Sequence, residues 1–440
     1  MRRTGKLGIL LCITGMIGIS FYACGEKSKT VEREQQEKSI AEISSGSSTE
    51  VPEGKEVITD FTKFTAPRES QEYNSETDYQ YYLVKTFGCA ATDKSYYIQE
   101  NGKTMLFDRE THHYELLCSK PECQHDDFTC GAIIPSDVGI EYYNGNLYTI
   151  CDAAYVEQEE ENIKKFDVVK TSLDGMSKDK VKEIAKIAKT NLNITSEGYT
   201  FGVRYIQHRG YLYYIYAAGN GISGAQFYNN GSNCIYRVSL EGTEEPECIL
   251  PLEDGCISAH LYMTAEGSYV YFVMADSDAF GELYRYNTES DVVEKMGIGK
   301  IAAETYTVLH GKILYKKQYD AKQLYLYDPM TGTEELFCDM TDMAEGDSWD
   351  IHRDEQYIYV YYTSQDTKEA FFVFLDMDGN YAGKAVVSNQ YEEGAYLGQF
   401  LGGDTDYLLY RPSDTGELMY IDKAQIVSGQ AELKKAGSND

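Results

Sequence analysis

The chain has 440 residues, 42% of them hydrophobic, and forty tyrosines against one tryptophan. This is enough apolar material for one large β domain or two to three ordinary ones, and eight prolines exclude a low-complexity segment. A net charge of −31 argues against nucleic acid as a partner, because phosphate is repelled by such a surface.

Arg2, Arg3 and Lys6 make a basic start, and Leu7 to Tyr22 form an apolar run broken by Gly15 and Gly18. The run is short for a spanning helix and reads as an export signal over residues 1–23. A small residue, Ala23, stands directly before Cys24. This junction resembles the bacterial lipoprotein box, with Phe21 where the box has an aliphatic residue. The resemblance implies lipidation of Cys24, which becomes the mature N-terminus. An uncleaved membrane anchor gives the same topology, and either way the expected location is the outer face of the cell membrane. Residues 24–60 are expected to be a flexible tether. Positions 25–60 contain no aromatic residue and cannot bury enough apolar surface to offset their ordering entropy. Such a coil reaches on the order of 30 Å as a root-mean-square distance.

From residue 61 to 433 strand signals recur with turns between them. Seven short strands are each followed by an aromatic strand that ends in a turn. SYYIQ at Ser95 precedes TMLFD at Thr104, NLYTI at Asn146 precedes FDVVK at Phe166, and YLYYIY at Tyr211 precedes IYRVS at Ile235. Then come YVYFVM at Tyr269 with LYRYN at Leu283, ILYKK at Ile313 with LYLYD at Leu324, YIYVYY at Tyr357 with FFVFL at Phe371, and YLLYR at Tyr407 with LMYID at Leu418. Apolar and polar residues alternate with period two inside them. The last four turns lie near residues 288, 330, 378 and 424, the spacing of a four-stranded blade. A sheet of this size cannot cover both of its faces alone, and radial stacking of several sheets does so. The expected fold is all-β, a single β-propeller of seven four-stranded blades, with residues 434–440 as a disordered tail. Two sandwich domains are the structural alternative. Lys178 to Thr190 carries apolar residues at helical spacing and reads as either the outer strand of the second unit or a surface helix.

Between the first and second units lies Cys118-Ser-Lys-Pro-Glu-Cys123-Gln-His125-Asp-Asp-Phe-Thr-Cys130. Thiolates and imidazole are the set that zinc takes in closed tetrahedral sites. In an exported protein the same cysteines could instead form a local disulfide staple, with one of the three left over. Cys234 and Cys248 flank the turn at Glu241-Gly242 almost symmetrically and could bridge, depending on the register of the hairpin.

Gly219, Asn220, Gly221 and Gly224 spell a dinucleotide fingerprint after a strand. The following AQFYNNGSN has no helical apolar face to present amides to a pyrophosphate, so the stretch reads as a long, ligand-facing hairpin loop and no nucleotide is expected. His208, His260, His310 and His352 stand near strand starts as polar turn residues, or as a ring of ligands around one mouth of the propeller. Asp376 to Asn380 reads as a turn, lacking the closing glutamate of a calcium loop.

The pattern of YxYY, a loop, IYRVSLEG and a hydrophobic strand resembles the YWTD-type β-propellers of lipoprotein receptors. It is closer to the propeller-repeat lipoproteins of anaerobic Gram-positive bacteria, over about residues 75 to 430. The run LCSKPECQH followed by a cysteine is similar to a signature of those lipoproteins. The resemblance implies a surface-anchored propeller and does not name a ligand. The expected function is therefore a cell-surface recognition module for a protein, peptide or glycan. A polysaccharide hydrolase or lyase and a structural envelope protein are the alternatives.

Overall fold

The computed structural model describes residues 53–68, 71–83, 88–134, 139–156, 163–188, 200–219, 234–252, 262–275, 280–303, 305–318, 321–343, 345–392, 398–426 and 431–437. Within residues 54–440 the chain forms seven blades in sequence order, each an antiparallel sheet of four consecutive strands. Blade 1 runs from Cys89 to Leu116, blade 2 from Glu141 to Ala188, blade 3 from Thr200 to Pro251 and blade 4 from Tyr262 to Ala302. Blade 5 runs from Tyr306 to Asp339, blade 6 from Asp347 to Ser388 and blade 7 from Gly398 to Lys435. The seven strand pairs recognised in the sequence are the second and third strands of these blades.

Those middle strands have protein on both faces, which is why they read as near-continuous aromatic and β-branched runs. Tyr269–Ala275 is buried at every position, whereas the outer strand Thr333–Asp339 is mostly exposed. Directly opposed residues of the two middle strands stack their rings. Phe272 lies on Tyr284, Tyr362 on Phe371 and Tyr214 on Tyr236, with centroids 6.0, 5.5 and 5.7 Å apart. Such pairs add about 0.5–1.5 kcal/mol each beyond area burial.

Among the described residues the buried apolar side chains fall into seven clusters, one at each seam between neighbouring blades. The seam of blades 7 and 1 has its own, with Phe107, Tyr96, Leu401, Leu409 and Tyr420. The ring closes there without exchanging a strand, since all four strands of blade 7 come from the end of the chain. Side chains tie this seam instead: Arg109 pairs with Asp404 at 2.6 Å, and Tyr96 also bonds Asp404.

The described residues at both ends of the propeller depart from the expected boundaries. Val57–Ile58 pairs in parallel with the outer strand of blade 4, and Lys55 is paired with Glu247 and Asp291. The folded part thus begins before residue 61, because an open outer edge offers backbone partners that sequence composition does not reveal. At the other end Lys434–Lys435 is the outer strand of blade 7, inside the segment expected to be a tail. Lys178–Ala188, undecided in the sequence, is the outer strand of blade 2 and pairs along its whole length with Ile163–Thr171. Its helical spacing is overridden by that edge.

Candidate functional site

The connection from blade 1 to blade 2 brings Cys118, Cys123, His125 and Cys130 together. Their four ligand atoms all lie within 4.8 Å of one another, and His125 Nδ1 is 3.4 Å from the Cys130 sulfur. The three cysteines are thiols, so none is used in a local staple. Zinc–sulfur bonds of about 2.3 Å in a tetrahedron place donors about 3.5 to 3.8 Å apart. The group therefore needs only a slight contraction to close on an ion, and it could hold a metal. Cys118 and Cys130 are buried, and Cys123 and His125 are half-exposed. The His125 backbone N–H, directed at the Cys123 sulfur, lowers the pKa of that thiol. Burial pushes the Cys130 thiol up to about 11. The two thiols thus differ in how readily they become thiolates, the form a metal binds.

Turns and short bridges shape this connection. His125 adopts a positive φ of 55°, and the Asp127 carboxylate accepts from the backbone and hydroxyl of Thr129. Ile133 bridges Lys103 of blade 1. Cys151, Cys89 and Cys338 are buried thiols elsewhere in the fold.

A second constellation lies on the axis of the ring. Residues 71–83 form no strand with a neighbour of their own, yet they bond to the first strands and first turns of six blades. Gln80 exchanges bonds with the backbone of Ala91 in blade 1, and the Asn144 N–H of blade 2 donates to Glu76 O at 2.7 Å. In blade 3, Arg209 pairs with Asp78 at 3.1 Å, and the Tyr79 N–H donates to His208 Nδ1 at 3.1 Å. Ser268 N–H of blade 4 donates to Gln71, the Arg353 guanidinium of blade 6 lies 3.7 Å over the Tyr81 ring, and Gly403 N–H of blade 7 donates to Tyr82 O. Asp78, Tyr79 and Gln80 are buried by this arrangement.

What remains at this mouth is a cleft of about 480 Å³, lined by Tyr73, Tyr79, Tyr81, Glu355, His310 and Met377 among others. Its deeper charges are already matched. Glu266 accepts from Arg353 and from the Gly311 N–H, and Asp354 pairs with the buried Lys423.

Among the described residues the histidines form no ring of ligands. His208 is a fully buried strand residue: Nδ1 accepts from Tyr79, so Nε2 carries the proton and donates to Gly267 O at 2.7 Å. Burial lowers its pKa to about 4. His352 is also on a strand, packed on Phe400 with centroids 4.7 Å apart. His310 sits in a turn at φ 51°, and His260 lies outside the described residues. Neither His208 nor His352 is the polar turn residue expected of it.

Cys234 and Cys248 are joined by a disulfide with Cα atoms 5.9 Å apart. They are not directly opposite: Tyr236 faces Cys248 and Cys234 faces Pro251, with a register shift after Ile235. Gly219 ends the strand Tyr211–Gly219, and Asn220, Gly221 and Gly224 lie outside the described residues, as does Cys24. Asp376 accepts from the N–H groups of Asp378 and Asn380, which is turn chemistry. The axial segment was not anticipated from the sequence. Its one signal is four tyrosines, Tyr73, Tyr79, Tyr81 and Tyr82, in a stretch without strand alternation.

No family model matches the chain, and no curated protein sequence matches it. Solved structures resemble it at the level of fold. An uncharacterised protein of Listeria monocytogenes is 10% identical with a TM-score of 0.41, over 66% of this chain and 79% of that one. An oligogalacturonate lyase in complex with manganese is 10% identical with a TM-score of 0.37, over 72% of this chain and 78% of that one. A prolyl endopeptidase is 11% identical with a TM-score of 0.48, over 82% of this chain and 50% of that one.

Proposed function

We propose that this protein is an exported, lipid-anchored recognition module, held at the outer face of the cell membrane through Cys24. The propeller presents a binding cleft at the axial mouth to a protein, peptide or glycan. The observation that carries this reading is the composition of the cleft: the half-buried rings of Tyr73 and Tyr81 beside three carboxylates, Asp78, Glu266 and Asp354, that already have cationic partners. General acid–base catalysis needs a carboxylate free to exchange a proton near the reacting bond. Asp78, Glu266 and Asp354 are instead held by Arg209, Arg353 and Lys423, which leaves Glu72 and Glu355, both exposed to solvent, as the other lining carboxylates and supports binding over the hydrolase or lyase alternative. The full chain would be screened against glycan and peptide arrays, with Tyr81→Ala expected to abolish the strongest signal. Turnover of any polysaccharide on the array would overturn the reading. For the anchor, Cys24→Ser is expected to remove the lipid mass from the isolated protein, and its persistence would sink that part.

The same reading gives the Cys/His group a structural role with zinc as its ion. Three sulfurs and one nitrogen from the chain complete a tetrahedron and leave no open position for chemistry. Metal analysis of anaerobically purified protein should find one zinc per chain, and four-ligand loading with iron or no metal would count against it.

A further inference from the structure

The four candidate ligands lie within thirteen residues, which suggests a self-contained loop. Their surroundings point elsewhere. The connection that carries them is pressed against the turn between the last two strands of blade 2, at Leu173–Ser177. Ser119 donates from both its backbone N–H and its hydroxyl to Asp174 O, at 3.2 and 3.1 Å. Gly175 has φ +66°, and a Cβ there would stand 2.9 Å from Cys118 Cα. A Cβ on Gly131, the residue after the last ligand, would stand 2.2 Å from Gly175 O. Two glycines thus allow two backbones to meet beside the first and last ligands.

Beyond the turn, Lys178 begins the outer strand of blade 2. Its ammonium donates to Phe128 O at 3.0 Å and to Ile133 O at 2.6 Å, one carbonyl on either side of Cys130. A divalent ion bound by three thiolates and a neutral imidazole carries a net charge of −1 once the thiols have released their protons to solvent. A lysine ammonium fixed beside Cys130 offsets that charge where the site is least exposed.

We infer that this metal site is an inter-blade clasp: the ligands come from the connection after blade 1, while Lys178 and the Gly131–Gly175 contact of blade 2 position them. The inference rests on the metal reading above. Lys178 is a positioning residue in it, acting through Phe128, Ile133 and the field at Cys130. Metal binding then fastens the seam between blades 1 and 2, and a disturbance of blade 2 weakens the metal without touching a ligand.

The experiment uses the full chain, titrated with cobalt(II) alone and then competed with zinc. The cobalt spectrum reports ligand geometry, which a merely structural role would leave unchanged. Lys178→Met and Gly175→Ala are expected to lose 10- to 100-fold in zinc affinity, about the range seen when outer-shell partners are removed, and to alter the cobalt bands. Lys178→Arg, which keeps the charge and can still donate to two carbonyls, should retain most of the affinity. Gly379→Ala is the matched control. Gly379 is the equivalent turn glycine of blade 6, at φ +84°, where a Cβ would stand 3.0 Å from the Phe337 ring, so it strains a seam away from blade 2 and should leave affinity intact. Equal affinity and identical cobalt bands in wild type, Lys178→Met and Gly175→Ala would overturn the clasp while leaving the metal site standing. Absence of any cobalt or zinc binding by the wild type would sink the metal reading and the clasp with it.

Discussion

Arg109 of blade 1 and Asp404 of blade 7 meet at 2.6 Å across the one seam of the ring whose blades are farthest apart in sequence. Asp404 also accepts from Tyr96 and from the N–H groups of Asp406 and Tyr407, and the Arg109 guanidinium lies 4.1 Å from the Tyr96 ring centroid. An ion pair, a tyrosine and an apolar cluster thus hold this closing seam.

The closing pair is open to a direct test. Arg109→Met leaves a largely buried carboxylate without its cation, and breaking such a pair costs about 3 kcal/mol or more when burial is complete. The side chains retain 14% and 10% exposure, so solvent screening reduces the expected loss to about 1–3 kcal/mol. Denaturant melts should give that loss for Arg109→Met and a smaller one for Arg109→Met combined with Asp404→Leu. Equal losses would show that the pair itself is not what matters.

The disulfide between Cys234 and Cys248 closes a loop with a sequence separation of 14. Restricting the unfolded chain over a loop of that length is worth about 3 kcal/mol in the chain-entropy picture. Cys234→Ala with Cys248→Ala should lower stability by about 2–3 kcal/mol while leaving the rest of the propeller's near-ultraviolet signal intact. An unchanged melt would mean that strand pairing alone holds blade 3.

His208 gives a pH dependence with a defined sign. Burial is the main cause of its lowered pKa, opposed by the nearby Asp78 carboxylate. The folded value is about 4 against an ordinary 6.5, so between those pH values the unfolded chain binds a proton that the folded chain does not. Stability contributed by the neutral ring is complete above about pH 6.5, falls as pH drops through that window, and is lost below about 4. At ~1.4 kcal/mol per pH unit the contribution is on the order of 3 kcal/mol. His208→Gln can accept from Tyr79 and donate to Gly267 without titrating. The difference between wild-type and variant stability should shrink by that amount from pH 7 to pH 4, and parallel curves would refute the assignment.

Removal of metal has its own expected signature. If the proposed zinc is bound, chelation should lower the melting temperature and speed proteolysis first within residues 118–134, because those residues carry the candidate ligands and few strand bonds. Cys123→Ser, at the most exposed thiol of the group, should shift the melt of loaded protein toward that of chelated protein and leave the chelated melt unchanged.

Much of the architecture was legible in the sequence because it is encoded locally. Aromatic and β-branched runs and turns recurring at blade spacing mark the second and third strands of every blade, and those runs are near-continuous, more than the period-two alternation expected of them, because the strands are covered on both faces. The grouping of Cys118, Cys123, His125 and Cys130, which could hold a metal, was legible for a similar reason: the four lie within one short stretch of sequence. Tertiary structure alone decided the rest. Lys178–Ala188 is a strand because the edge of blade 2 supplies its partners, against its own helical spacing. Residues 71–83 take their place on the axis only when turns from six blades, drawn from positions between 91 and 403, converge on them. His208 is neutral because that same convergence excludes water. A single chain segment carries no local mark of partners scattered over three hundred residues, so the axial cleft became visible only with the ring closed.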